Sequence, residues 1–451
     1  MILQNLFIFS FKRIRILAGI IAGIVLFWGI SYGLRYIYVE ENEWNRRIFN
    51  DLYFSNENID CLYLGSSHVF SAVNTGILDS NNGKNNFNLA TGSQSLIESY
   101  WLLKEASRNN SLSHVYVEMY YMCSTGIAGN YESSFSIKKT WAVTDYMKWS
   151  LNKVEALLDM NKDKAYYMDA LVPWIRYRDK VFDIEWINAC TTRKNDKEYK
   201  AFEQSETKLD ECTGKEYETK YYPKGYYYSS RELSNLYMER NRDPNEMELT
   251  ADSQKYLRKI IEYCQERDIN ITLFATPVYD CQLVSAENYD FFREQVSTIA
   301  EEYGIEFLDF NLIRPEYMIT DKCELYRDMN HLNSRGAEYF TVLFNEVITS
   351  SEEEIGEYFY SSYEEKLSNA CPQVYGIYSV SVNDNKTMYI AANRDSDLEY
   401  SIIIKSEEGE VILQDFSTSK IFSLPKNWTG LCTVTWREEE GRDEHVLQVR
   451  L

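Results

Sequence analysis

From Ile16 to Leu34 the sequence reads ILAGIIAGIVLFWGISYGL, 19 residues without a charge. At ~1.5 Å rise per helical residue, such a run nearly crosses a ~30 Å hydrocarbon core. That single stretch restricts the chain to folds in which one helix lies in a membrane and the rest stands outside it; a buried core helix is the competing reading. Lys12, Arg13 and Arg15 precede the run, whereas Arg35, Glu40, Glu41 and Glu43 follow it. The positive-inside rule then favours residues 1–15 as a short cytoplasmic tail and 16–38 as the anchor, although Arg46 and Arg47 bring the local counts close. Ser31-Tyr32-Gly33 is a poor small-x-small site, so an uncleaved signal anchor is expected. Cleavage would alter the anchoring but not the compartment, which places the remaining chain outside the cytoplasm.

The 451 residues exceed one ordinary core, so two or three units are expected. A net charge of -22 excludes a nucleic-acid partner, because nothing would neutralise phosphates. The nine cysteines include no Cys-x-x-Cys pair, which disfavours zinc ribbons and thioredoxin-like redox chemistry. Cys190 with Cys212, and Cys281 with Cys323, are candidate disulfides that spacing alone cannot decide. No metal or cofactor is called for.

Beyond the anchor, apolar runs alternate with helical patterns. Ile59–Leu64, Val115–Met119, Ile269–Ala275 and Gly304–Phe310 read as strands. Residues 93–108, 253–267 and 288–303 read as the helices leading into them, and Ser334 caps a last helix to about Ile348. This rhythm predicts an α/β domain over residues 50–350, a mostly parallel sheet sandwiched by helices. Residues 130–250, rich in Tyr, Lys and Glu, read as an insertion over the carboxyl edge of the sheet. Within it Lys224-Gly225-Tyr226-Tyr227-Tyr228 is either a sugar-stacking surface or ordinary packing, the latter favoured. After an acidic helical stretch at 351–366, short alternating runs predict a small β-sandwich accessory domain over 370–451.

The chain has four histidines: His68, His114, His331 and His445. A serine nucleophile needs a base, usually histidine, held by a carboxylate. His331 follows Asp328 by three positions in Asp328-Met329-Asn330-His331, a spacing that lets the carboxylate hold one ring nitrogen and leaves the other free. His114 falls at the amino end of a strand and His445 in an accessory strand. His68 is expected to turn away behind Ser67.

Leu64-Gly65-Ser66-Ser67, then Asn88-Leu89-Ala90-Thr91-Gly92, then Asp328-x-x-His331 resemble, in order, three sequence blocks of the SGNH (GDSL-like) hydrolase superfamily. The Gly-Ser-Ser form behind an N-terminal anchor is similar to the DltD-like branch of teichoic-acid D-alanylation and to proteins of polysaccharide O-acetylation. The resemblance covers residues 55–350. It implies Ser67 as nucleophile, His331 as base, Asp328 as its orienting partner, and oxyanion donors from the Ser67 and Gly92 amides, with Asn88 among the substrate-binding residues. It also implies an envelope polysaccharide or teichoic acid as substrate and a membrane-bound O-acyltransferase as partner. One block is missing: where Gly-x-Asn-Asp would follow the second strand stands Val117-Glu118-Met119-Tyr120. The third oxyanion donor is therefore absent or supplied otherwise. This leaves two readings, an acyl-transfer enzyme or esterase and a non-catalytic scaffold or glycan-binding subunit; a cytosolic-type lipase is opposed by the anchor.

Overall fold

A computed structural model describes residues 2–451 except 56, 126–133, 162, 197–204, 241–246, 383–384, 395–396, 408 and 439–442. Helix α1 (Ile2–Tyr38) contains the apolar run and is long and apolar enough to cross a membrane over Arg13–Tyr38. Its side chains there are exposed, Val25 and Leu26 by 65% and 64%, so it is not the buried core helix of a soluble domain. Residues 2–15, expected as a separate tail, continue the same helix.

The chain divides into two compact units. Unit one holds Met1–Arg46 and Thr140–Gln204. Here the Ile184–Asn195 helix packs on the end of α1, with Trp186 Nε1 donating to the Tyr38 carbonyl (2.9 Å) and Tyr36 to Asn195 (2.8 Å). Residues 140–204 therefore group with the N-terminal helix and residues 205–250 with the remainder, so the insertion expected over 130–250 is divided between the two units.

Unit two holds the remainder. Strands β1 (Cys61–Leu64), β2 (Asn86–Asn88) and β3 (His114–Glu118) come first. They alternate with helices α2 (Ser67–Ala72) and α3 (Leu96–Ala106). Strands β4 (Ser205–Leu209), β5 (Glu216–Tyr222) and β6 (Tyr226–Ser229) form an antiparallel three-stranded sheet, followed by β7 (Tyr237–Arg240). Helix α4 (Ala251–Gln265), strand β8 (Asn270–Ala275), helix α5 (Tyr289–Tyr303), strand β9 (Glu306–Asp309) and helix α6 (Ser334–Thr349) complete the α/β part. The main sheet is parallel throughout, in the order β2-β1-β3-β8-β9. Its inner strands β1 and β8 are apolar and buried on both faces, as expected of a parallel sheet covered by helices. Tyr63, Tyr116 and Phe274 point to one face and meet Phe344 of α6 at 6.0, 5.4 and 5.3 Å between ring centroids. On α4, Tyr256, Leu257, Ile260, Ile261 and Cys264 recur at helical spacing and are buried, and Thr250 caps the helix by accepting from the Ser253 amide.

The C-terminal strands are β10 (Val374–Val382), β11 (Asn385–Ala392), β12 (Leu398–Ser406), β13 (Gly409–Ser417), β14 (Ile421–Pro425), β15 (Leu431–Glu438) and β16 (His445–Arg450). They form two sheets, β14-β11-β10-β7 and β13-β12-β15-β16, whose apolar side chains make one cluster around Ile377, Tyr400 and Val434. Strand β7 enters the first sheet parallel to β10, so the sequence boundary at residue 370 is not a structural one. Tyr375, Tyr378 and Ala391 of these strands lie in the same core as Phe274, Cys281 and Phe310. All nine cysteines are free thiols; neither expected pair is joined.

Candidate active site

In a parallel sheet every strand delivers its last residue to the same edge. At that edge β1 ends at Leu64 and the chain reverses through Gly65-Ser66 into α2. A Cβ on Gly65 would stand 2.5 Å from both Glu118 Cβ and Val69 Cγ2, so the turn closes only around glycine. Ser66 caps α2, its hydroxyl accepting from the His68 amide at 3.2 Å. Ser67 is thereby the first helical residue, where its own amide needs no intrahelical partner.

The second component is the loop before α6. Asp328 Oδ1 accepts from the amides of Asn330 and His331, each at 2.9 Å, which folds the loop tightly around the carboxylate. The same oxygen lies 2.8 Å from His331 Nδ1 and Oδ2 lies 3.0 Å from it. His331 Nε2 is 2.8 Å from Ser67 Oγ across 264 positions of sequence. With the ring proton on Nδ1 facing the carboxylate, Nε2 accepts from the serine hydroxyl. Burial pushes the Asp328 carboxyl up, but the His331 ring and Arg327 outweigh it and hold the group below the usual carboxylate range. Burial lowers His331 below its ordinary value of 6.5, and Asp328 only partly opposes this. The pair is thus a neutral imidazole against an ionised carboxylate near neutral pH.

Glu118 closes the floor. Its Oε2 accepts the Ser66 amide at 2.6 Å and its Oε1 the Thr276 hydroxyl at 3.2 Å. Desolvation raises it to about 7, against the lowering effect of those same bonds. Glu118 is thus a buried carboxyl occupied by its own neighbours.

Gly92 is exposed, in the turn after β2, and Thr91 donates to the Gly65 carbonyl at 3.2 Å, which ties that turn to the one carrying Ser67. Asn88 corrects the sequence expectation. It is fully buried, and its Nδ2 donates to the Val69 and Val73 carbonyls at 2.9 and 3.2 Å. It fastens the end of α2 and does not face a ligand.

His68 is a second correction. Its ring does not turn away; it lies 4.6 Å from the His331 ring and 3.8 Å from Tyr120, buried, with Nδ1 unpartnered. Burial and the neighbouring His331 hold it well below its ordinary value. Tyr120 in turn donates to Asn330 at 3.1 Å, linking the end of β3 to the base loop. On the open side, the Arg327 guanidinium stacks at 4.7 Å over Tyr227, and Tyr227 meets Phe70 of α2 at 5.8 Å. Of the tyrosine cluster, Tyr226 is buried and Lys224 is held by Asp79 and Asn85 at 2.8 and 2.6 Å, while Tyr227 borders the site through Arg327. His114 pairs with Thr272 at 3.0 Å at the far end of the sheet. Among the described residues no cluster of three or more His, Cys, Asp or Glu is arranged to hold a metal ion.

No family model matches the chain, and no curated protein does. Among solved structures, a candidate acylhydrolase of Bacteroides fragilis is similar at 11% identity and a TM-score of 0.30, over 68% of this chain and 98% of that one. The likeness is distant.

Proposed function

We propose that the chain is a membrane-anchored, extracytoplasmic serine acyl-transfer enzyme of SGNH type, acting on an ester of a cell-envelope glycopolymer. The observation that carries this reading is the continuous relay from Asp328 through His331 to Ser67, with both contacts at 2.8 Å. Ser67 Oγ attacks the ester carbonyl while its proton passes to His331 Nε2, and the imidazolium is held by Asp328. Collapse of the tetrahedral intermediate breaks the ester bond, and His331 returns the proton to the leaving alcohol. The acyl-serine is then attacked by a sugar hydroxyl or water, deprotonated by the same His331, which regenerates Ser67. The Ser67 and Gly92 amides supply the oxyanion donors in this scheme. The acyl group is O-acetyl or D-alanyl in type, and a membrane-bound O-acyltransferase is the partner that would load it.

One feature favours a second reading, a scaffold or glycan-binding subunit: no Gly-x-Asn-Asp block follows β3, where Val117-Glu118-Met119-Tyr120 stands. Labelling with a fluorophosphonate separates the two. The enzyme reading expects the full-length protein to label, Ser67→Ala to abolish labelling, and His331→Ala to reduce it at least a hundredfold. An unlabelled wild type, together with unchanged envelope acylation in cells carrying Ser67→Ala, would leave the binding reading standing.

A further inference from the structure

Unit one exposes apolar side chains well beyond α1. In the Leu151–Met160 helix, Ala156, Leu157 and Met160 are buried, yet Leu151, Val154 and Leu158 point outward, 82%, 38% and 58% exposed. A helix packed on a water-soluble domain puts charge on that face. In the same unit Trp149, Met168, Phe182 and Ile184 are 50%, 53%, 94% and 71% exposed. So much exposed apolar surface in one small unit marks an interaction site.

The register with α1 says what covers it. The Trp149 ring packs edge-on against Trp28 of α1, 4.9 Å between centroids. Trp28 lies twelve positions beyond Ile16, about 18 Å along the helix. In a ~30 Å core entered at Ile16, that is roughly 12 Å beneath the outer boundary. Tyr38, which accepts from Trp186, emerges at the headgroups. We infer that Trp149 and the Leu151–Met160 helix form a second membrane-embedded element, lying in the outer leaflet beside α1 with Leu151, Val154 and Leu158 in the acyl chains. This rests on the reading of α1 as a membrane anchor.

Two details agree with a lipid occupant. An open cavity of about 460 Å³ lies between Trp28, Tyr32 and Arg35 of α1 and Trp149, Leu171 and Trp174. At this depth an acyl chain fills it. The Arg35 guanidinium at its outer end makes no hydrogen bond or ion pair among the described residues, and suits a lipid phosphate. Lys153, the other cation there, is turned inward, donating to the Met147 carbonyl at 2.9 Å. Glu155 interrupts the apolar stripe, and at ten residues, about 15 Å, the helix is too short to cross the core.

The test uses full-length protein in phosphatidylcholine/phosphatidylglycerol vesicles, with the two exposed cysteines, Cys212 and Cys371, changed to serine. Nitroxides are placed in turn at Leu151→Cys, Phe182→Cys, Val25→Cys in α1 and Lys426→Cys on the C-terminal sheets. Collision with oxygen and with a water-soluble nickel chelate then reports depth. The Leu151 label should favour oxygen over the chelate several-fold, as Val25 does, with Phe182 shallower and Lys426 reversed. A Leu151 label as open to the chelate as Lys426, beside a lipid-buried Val25, overturns the inference and leaves the anchor intact. A chelate-accessible Val25 overturns the anchor and the inference together.

Discussion

A base must be neutral to take a proton, and burial lowers His331 below its ordinary 6.5. The sign follows directly: protonation sets in only as pH falls through that lowered value. Fluorophosphonate labelling should therefore stay at its plateau through neutrality and lose half its rate below pH 6.5, and a half-point above it would contradict the burial seen. Asp328→Asn removes the acceptor that fixes the Nδ1 proton, so labelling should drop by about a hundredfold or more with the fold retained. Glu118 runs the opposite way. Its folded value of about 7, against 4.5 in an unfolded chain, means the native state holds the proton more tightly. Stability contributed by protonation is present at low pH and is lost as pH rises between those values. That gap corresponds to about 3 kcal/mol, so Glu118→Gln should remove the loss and be more stable by up to about that amount at pH 8. Urea titrations in detergent at pH 5 and pH 8 would show it; an unchanged difference between the two pH values argues against a carboxyl desolvated in this way.

Helix α6 and the turns around it decide where the base loop stands. A Cβ on Gly336 would fall 2.1 Å from the Leu325 carbonyl oxygen, so the first turn of α6 rests directly on the backbone leading to Asp328. Gly336→Ala should force helix and loop apart, costing about 1–3 kcal/mol and slowing labelling at least tenfold, as measured beside the wild type at one temperature. The strands that carry Ser67 and Glu118 were legible because most of their residues are apolar and buried: β1, β8 and β9 fall within the segments expected, and β3 begins one residue earlier, at His114. Strand β2 was not, since Asn86-Phe87-Asn88 offers one apolar side chain and is held by side-chain bonds, Asn86 to Asp79 at 2.8 Å among them. Asn88 looked like a ligand group for the same reason, because nothing in its sequence position tells that α2 ends against it. His68 was misplaced because successive residues of a helix stand only about 100° apart, close enough for both Ser67 and His68 to reach the His331 ring.

Across the whole chain, the apolar run of α1 was the plainest signal and the grouping of segments the least plain. A run of uncharged residues is read from composition, whereas the membership of residues 140–204 with α1 depends on long-range packing that no local pattern encodes. The proposed topology makes one direct forecast. Protease added to intact spheroplasts should digest the chain beyond residue 40, and protection until lysis would reverse the orientation. The parallel seam of β7 and β10 carries a temporal consequence. Tyr237 pairs with Ile377, 140 positions later, so a four-stranded sheet lacks its final member until nearly all of the chain has been made. Export of a tethered chain proceeds from the anchor outward. Strand β7 would then wait, unpaired, at the far side of the membrane while the rest is threaded through. In the proposed topology its neighbour in the sheet, β10, would be complete only once residue 382 has been threaded through, so this seam would close late in export.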